Sequence, residues 1–285
     1  MIEIKPIQER VMVNLAHYKF LTISQLMRLK SGSKLRTQEA IRILREAGLV
    51  ETSRYGGVTR NGAGRVESIS YLTSKGAKIL IENNHHLNLP VVKYPKSINS
   101  IFKNDYLHRI STINTQISFE EWAKLNGQEV AFFHTYFDKL GSQIRQEEDM
   151  PLQSITRLNF KNDTYIEPDA IFLSEGNGKK SFFILEVCNG KDTKRHVEQI
   201  RQNVYAIYNG IPSDKYKQNK SPRLLCIFET ENQLGLVLDK MAEDDYFQAD
   251  WIEQAIFLNV SGQVWQSFAD KWTTAKRQAI NLSNL

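Results

Sequence analysis

The chain has 285 residues, 41% hydrophobic and 24% charged, a composition that fits neither a fibrous nor a disordered protein and, at about 150 residues per domain, suggests two domains. It contains no run of about 18 apolar residues to cross a membrane, and it opens without a charged segment leading into an apolar one. Its only cysteines are Cys188 and Cys226, without zinc spacing, so the expectation is a reduced, cytoplasmic protein. The net charge of +5 is unevenly spread, with 14 basic and 7 acidic side chains in residues 1–90 against 23 and 25 in residues 91–285. A basic third on a near-neutral remainder is the pattern of a module that meets a polyanion joined to one with a separate task.

Residues 8–20 place Val11, Leu15 and Tyr18 on one helical stripe, extended by Val13 and Phe20. A second short helix is expected over Gln25–Lys30, with Thr22 or Ser24 as its N-cap. A third follows Ser31-Gly-Ser33 and ends at Gly48, a good residue just beyond a helix end. Its apolar positions are Ala40, Ile41, Leu44 and Ala47, while Lys34, Arg36, Thr37, Gln38, Arg42 and Arg45 lie mainly elsewhere on its surface. Residues 49–54 and 66–72 read as two strands joined by a loop with four glycines, and a fourth helix runs from Thr73 to about Asn83. Three helices, a two-stranded hairpin and a basic third helix spell a winged helix-turn-helix. In that geometry the third helix enters the major groove of double-stranded DNA, and Arg54, Arg60 and Arg65 sit where a wing touches phosphate or the minor groove.

Pro90 and Pro95 set a boundary, giving a winged helix-turn-helix domain over 1–90 and a second domain over 97–285. The second domain begins with a long helix over 98–126, then a strand over 130–137 and a polar, irregular stretch over 138–164 with a short strand near Thr156–Phe160. Two period-two segments follow, Tyr165–Leu173 and Ser181–Cys188, then a helix over Asp192–Tyr208 with Val197, Ile200, Val204 and Ile207 inward. A strand over Leu224–Phe228, a helix over 232–247 and a strand over Ala255–Val260 complete the pattern. Val264, Phe268 and Trp272 are spaced as core residues of a helix. Helix, three strands, helix and strand make an α/β domain with a mixed central sheet, α+β overall when the first domain is counted.

Asn177-Gly178 is a strong two-residue hairpin signal. With those residues as the turn centre, antiparallel partners sum to 355, so that Phe172 faces Phe183 and Asp169 faces Glu186. Two carboxylates directly opposite lie only ~5 Å apart at Cβ and repel. The register is then shifted by a bulge, one acid is protonated, or a cation or a lysine sits between them. Oxygen ligands of this kind suit Mg²⁺ or Mn²⁺ better than zinc. Glu186 also interrupts an otherwise apolar run, Phe182-Phe-Ile-Leu and Val187-Cys188, which marks it as a site residue.

Pro168-Asp169, about 16 residues, then Glu186-Val-Cys188 resembles the Pro-Asp…(Asp/Glu)-x-Lys signature of the restriction-endonuclease-like PD-(D/E)XK nucleases. The preceding winged helix, the long helix with His108, and Glu186 followed by Asn189-Gly190 and a helix together resemble the replication-relaxation family, which includes the MobC-type plasmid mobilization relaxases. The resemblance covers roughly residues 5–230. It implies a metal-dependent DNA endonuclease or nickase, with Asp169 and Glu186 holding Mg²⁺ or Mn²⁺, Glu121 or Glu120 as a third carboxylate, and His108 orienting a ligand or base. Where the signature has Lys, this chain has Cys188; Lys191, Lys194 or Arg195 would then supply the positive charge, with Lys191 taken as the catalytic candidate. The implied partner is double-stranded DNA at an origin-of-transfer-like site, with a homodimer as a further expectation. The alternative is a non-catalytic winged-helix regulator of plasmid replication or transcription whose nuclease-like domain is degenerate. A restriction-like defence nuclease is a weaker third.

Overall fold

The computed structural model describes residues 4–53, 66–83, 92–95, 105–140 and 153–284. The chain divides into two compact units, 1–113 and 114–285. Among the described residues no helix is long and apolar enough to cross a membrane.

The first unit carries helices α1 (Pro6–Tyr18), α2 (Ile23–Arg28), α3 (Lys34–Glu46) and α4 (Ser74–Asn83), and strands β1 (Leu21–Thr22), β2 (Val50–Ser53) and β3 (Ile69–Leu72). The three strands form an antiparallel sheet in the order β1-β3-β2. Thr22 caps α2, its hydroxyl accepting from the Gln25 N–H at 3.2 Å while the Gln25 side chain accepts from the Thr22 N–H. That reciprocal pair satisfies two otherwise orphaned donors. Val11, Met12, Leu15, Phe20, Leu26, Ala40, Ile41, Leu44, Leu49, Ile69, Leu72 and Leu80 are buried. Val13, expected on the α1 stripe, is only half-buried and Met12 takes the inward place.

The β3–α4 junction is locked onto the end of α3. Thr73 Oγ1 donates to Gly48 O at 2.8 Å, Thr73 N donates to Leu49 O, and Lys75 Nζ donates to Ala47 O. Gly76 comes so close that a Cβ there would lie 2.0 Å from Leu49 O and 2.9 Å from its carbonyl carbon. Backbone cannot swing aside as a side chain can, so Gly76→Ala should destabilise this unit by about 3 kcal/mol or more. Urea unfolding checks this; a loss under about 1 kcal/mol would mean the junction yields.

Helix α5 (Tyr106–Leu125) carries the unit boundary and is followed by β4 (Glu129–Thr135). Among the described residues four two-residue strands follow: β5 (Lys139–Leu140), β6 (Gln153–Ser154), β7 (Leu158–Asn159) and β8 (Tyr165–Ile166), paired as β5–β6 and β7–β8. Next come β9 (Ala170–Gly176), β10 (Lys179–Cys188), α6 (Thr193–Tyr208), α7 (Ile211–Tyr216), β11 (Arg223–Phe228) and α8 (Glu231–Ala242). The chain closes with α9 (Asp250–Glu253), β12 (Ile256–Val260), α10 (Ser261–Gln266), β13 (Trp272–Thr274) and β14 (Ala279–Ile280). The result is a mixed α/β protein whose seven-stranded sheet runs β14-β13-β12-β11-β10-β9-β4. Strands β10, β11 and β12 are parallel and the remaining pairs antiparallel.

The β9–β10 register is the one the turn signal dictates: Gly176 pairs with Lys179, Phe172 with Phe183 and Ala170 with Leu185. Asn177 and Gly178 have φ of 51° and 72°, the left-handed pair that a tight hairpin turn needs. Alternation along the strands then separates two cores. On one face Ile171, Leu173, Phe182, Ile184, Cys188, Leu224, Cys226 and Phe228 meet Ile200, Val204 and Ile207 of α6 and Leu234, Val237 and Leu238 of α8. On the other, Ala170, Phe172, Phe183, Leu185, Val187 and Leu225 meet Phe119, Trp122 and Ala123 of α5 with Val264, Phe268 and Trp272.

Candidate functional site

The Pro-Asp step is held by its neighbours before its own chemistry begins. Thr156 Oγ1, buried, donates to Pro168 O at 2.7 Å, and Arg157 pairs with Glu167 at 2.9 Å while lying over the Tyr165 ring. The short β6–β8 segment therefore serves to fix the approach to Asp169. Asp169 and Glu186 are 5% and 6% exposed, a depth of burial that carboxylates rarely reach unless other groups hold them.

The direct opposition of the two acids is relieved at this point by a shift in register. The regular ladder ends at Ala170–Leu185. One residue earlier, Asp169 N donates to Leu185 O at 3.0 Å, one place off the preceding register, and Asp169 Oδ2 accepts from Val187 N at 2.6 Å. The carboxylate has thus turned onto the backbone of β10. A shifted register, one of the three remedies for repulsion, is thus present at this end of the ladder.

Glu186 is held by α6. Asn203, on α6 and 2% exposed, donates through Nδ2 to Glu186 Oε2 at 3.2 Å and to Gln199 O at 3.0 Å. Since both partners only accept, the carboxamide orientation follows from the network. Its Oδ1 is buried with no hydrogen-bond partner.

Cys188, at the signature lysine position, is fully buried; burial first, then the neighbouring Cys226, Glu186 and Asp169, hold its thiol well above the ordinary range. It is a neutral thiol and supplies no positive charge. Of the replacement cations, Arg195 is the one whose field acts on Cys188, and its Nη2 donates to Asn189 O at 3.1 Å. Lys191 is exposed on the turn before α6. His196, on the buried side of the first turn of α6, shares a hydrogen bond with Gly190 O at 3.3 Å, and burial lowers its pKa.

Glu121 is not brought to these acids. It is exposed on α5, whose Phe119, Trp122 and Ala123 pack the opposite face of the sheet, and Glu120 accepts from Gln116 Nε2 on the same helix. His108 belongs to the first unit, and Asp169 and Glu186 to the second. Among the described residues no group of three or more His, Cys, Asp and Glu is arranged to hold a metal ion. Asn203 and His196 are residues the pattern reading passes over. Both lie in phase with Ile200 and Ile207, so the helical period points them inward as well.

In the first unit, the basic helix α3 sorts into three sides. Thr37 is buried and not on the exposed surface. Arg42 is gripped by two acids, Glu39 through two hydrogen bonds of 2.6 and 2.9 Å and Glu46 at 2.5 Å. Its charge is thus matched by two carboxylates of the same helix. Lys34, Gln38 and Arg45 are exposed and fall within about 40° of one another around the helix. Arg36 is exposed on another side. Arg54, Arg60 and Arg65 lie outside the described residues.

The replication-relaxation family model matches residues 13–221, a span that holds the α3 strip, Asp169, Glu186 and Asn203. The chain belongs to the replication-relaxation family. Membership suggests a role in plasmid or mobile-element replication or mobilization and an interaction with DNA. Neither a curated protein nor a solved structure matches the chain. The replication-relaxation match ends before β11, so β11 to β14, which complete the sheet, lie beyond it.

Proposed function

We propose that the first unit is a winged helix-turn-helix that binds double-stranded DNA. The second is a PD-(D/E)XK-like domain that nicks one strand in a reaction dependent on Mg²⁺ or Mn²⁺, at an origin-of-transfer-like site. The observation that carries this is the acid pair: Asp169 and Glu186, both buried, are brought together at the end of the β9–β10 ladder and each accepts from a neutral donor. A carboxylate that accepts one N–H keeps further lone pairs, and those are what a cation uses.

The donor set fits a hard divalent ion, which is often bound through one or two carboxylates with water and substrate phosphate completing the shell. When bound, such an ion polarises a phosphoryl oxygen and acidifies water. The chain's own part is to fix the acids: Asp169 through Val187 N–H, Glu186 through Asn203. Arg195, at the start of α6, provides positive charge beside the site in place of the signature lysine. On the DNA side, Lys34 and Arg45 with Gln38 between them present a polar, basic strip that fits a groove and its flanking phosphates.

A second reading, a DNA-binding regulator without cleavage, is favoured by Cys188, since a buried neutral thiol at that position removes a charge that the signature uses. Supercoiled plasmid incubated with the full chain and Mn²⁺ separates the two. Nicking that chelator abolishes and Glu186→Gln removes supports the nickase. Specific binding with no nicking at any Mn²⁺ level supports the regulator.

The interface is tested apart from the chemistry. Lys34→Ala with Arg45→Ala should weaken DNA binding about tenfold or more and reduce the salt slope by about one for each phosphate that is no longer neutralised. Arg42→Ala should change affinity by less than half as much in log units, because Glu39 and Glu46 already neutralise it. Fluorescence anisotropy over a salt series checks this ordering, and a dominant Arg42 effect would reverse it.

A further inference from the structure

We infer that Asn203 belongs to the cation site itself, holding Glu186 through Nδ2 and offering Oδ1 as a third protein oxygen beside the two carboxylates. The inference rests on the reading above that Asp169 and Glu186 take a divalent ion. Asn203 sits on α6 in phase with Ile200, Val204 and Ile207, which fill the core against β10 and β11. An amide on that buried side is costly unless something uses it, because a buried acceptor without a partner loses about 1–3 kcal/mol. The nitrogen of this amide is satisfied twice, by Glu186 Oε2 and Gln199 O. The oxygen is not.

The two halves of the carboxamide therefore have different roles. The nitrogen is fixed between two acceptors, Glu186 Oε2 and Gln199 O, and the oxygen on the same carboxamide carbon is therefore held close to that carboxylate. Carbonyl and carboxylate oxygens together suit Mg²⁺ and Mn²⁺. Three oxygens, from Asp169 just before β9, from β10 and from α6, make a site that neither a carboxylate pair nor a grouping of acidic and histidine side chains reveals. Asn203 also helps to hold Glu186 in its buried place, through a hydrogen bond from a neutral amide.

Titration of the full chain with Mn²⁺, followed by calorimetry and by water-proton relaxation, tests this without reference to cleavage. Asn203→Ala should bind Mn²⁺ about 10- to 100-fold more weakly and carry about one more inner-sphere water, since a water would replace the lost oxygen. Asn203→Asp should bind at least as tightly as the wild type and gain a larger rise in melting temperature on adding Mn²⁺. It also serves if the alanine variant fails to fold. A mere clamp on Glu186 would give the opposite for Asn203→Asp, because the donor is lost and a like charge is set beside Glu186. Wild-type binding that Glu186→Gln abolishes but Asn203→Ala leaves unchanged would overturn the role of Asn203 alone. Absence of Mn²⁺ binding by the wild type would overturn both this role and the cation site.

Discussion

Asp169→Asn should abolish Mn²⁺-dependent nicking, by about 10³-fold or more, while leaving the fold and DNA binding nearly intact. The reasoning starts from the two duties of this carboxylate. Its Oδ2 accepts the Val187 N–H at 2.6 Å, a buried backbone donor that the shifted register leaves without a strand partner. Its charge is the part a cation would use. An asparagine keeps an oxygen in place for the N–H and removes only the charge, whereas an alanine removes both. Asp169→Ala should therefore lose activity and also about 1–3 kcal/mol of stability, the cost of stranding a buried donor. Thermal unfolding beside a plasmid-nicking assay separates the two duties. Retained nicking in Asp169→Asn would exclude this acid from the chemistry, and equal stability of the two variants would exclude the backbone role.

The acid pair is legible in the sequence because its signals are local and agree. Asn177-Gly178 fixes the turn, the turn fixes the register, and the register brings Asp169 and Glu186 to the same end of the ladder. What alternation does not show is the step beyond Ala170–Leu185, where Asp169 swaps a ladder bond for a side-chain bond. Period-two reasoning assumes that a ladder continues, and a one-place shift leaves no trace in hydrophobicity. Of the two-residue strands, β7 lies within the short strand expected near Thr156–Phe160 and β8 within Tyr165–Leu173, whereas β5 and β6 are hidden, since two residues are too short to display any period.

The departures on the helices have another origin. Thr37, His196 and Asn203 are all buried at positions in phase with apolar neighbours: Thr37 with Ala40, Ile41 and Leu44, and the other two with Ile200 and Ile207. Treating polarity as proof of exposure overrides the geometry, which places every residue at i, i+3, i+4 and i+7 on one side. Arg42 shows the converse. It is exposed as its position implies, but Glu39 at i−3 and Glu46 at i+4 are within reach on the same surface and consume its charge. Charge on a helix is best counted after such pairs are removed, and for α3 that count is what sets Lys34, Gln38 and Arg45 ahead of Arg42 in the proposed DNA contact.

Phe119→Ala should be the most destabilising single truncation in the second unit, at about 3–5 kcal/mol. Phe119 is fully buried on α5 and its ring lies 4.6 Å from Phe172, 5.1 Å from Phe268, 6.1 Å from Phe133 and 6.2 Å from Phe183. Those partners come from β9, the segment after α10, β4 and β10, so one side chain closes the layer that covers this face of the sheet. Edge-to-face geometry with Phe172, Phe183 and Phe268 adds to simple burial. The cavity left by alanine has rigid walls, since its lining is itself aromatic and strand-bound, so collapse recovers little. Phe119→Leu keeps most of the volume and should cost less than half as much. Denaturant unfolding monitored in the second unit, with DNA binding by the first followed in parallel, gives the ordering. A loss below about 1 kcal/mol for the alanine variant would mean that α5 does not close this core. A loss as predicted with DNA affinity preserved would show that the strip on α3 does not depend on the integrity of the layer beneath the acids.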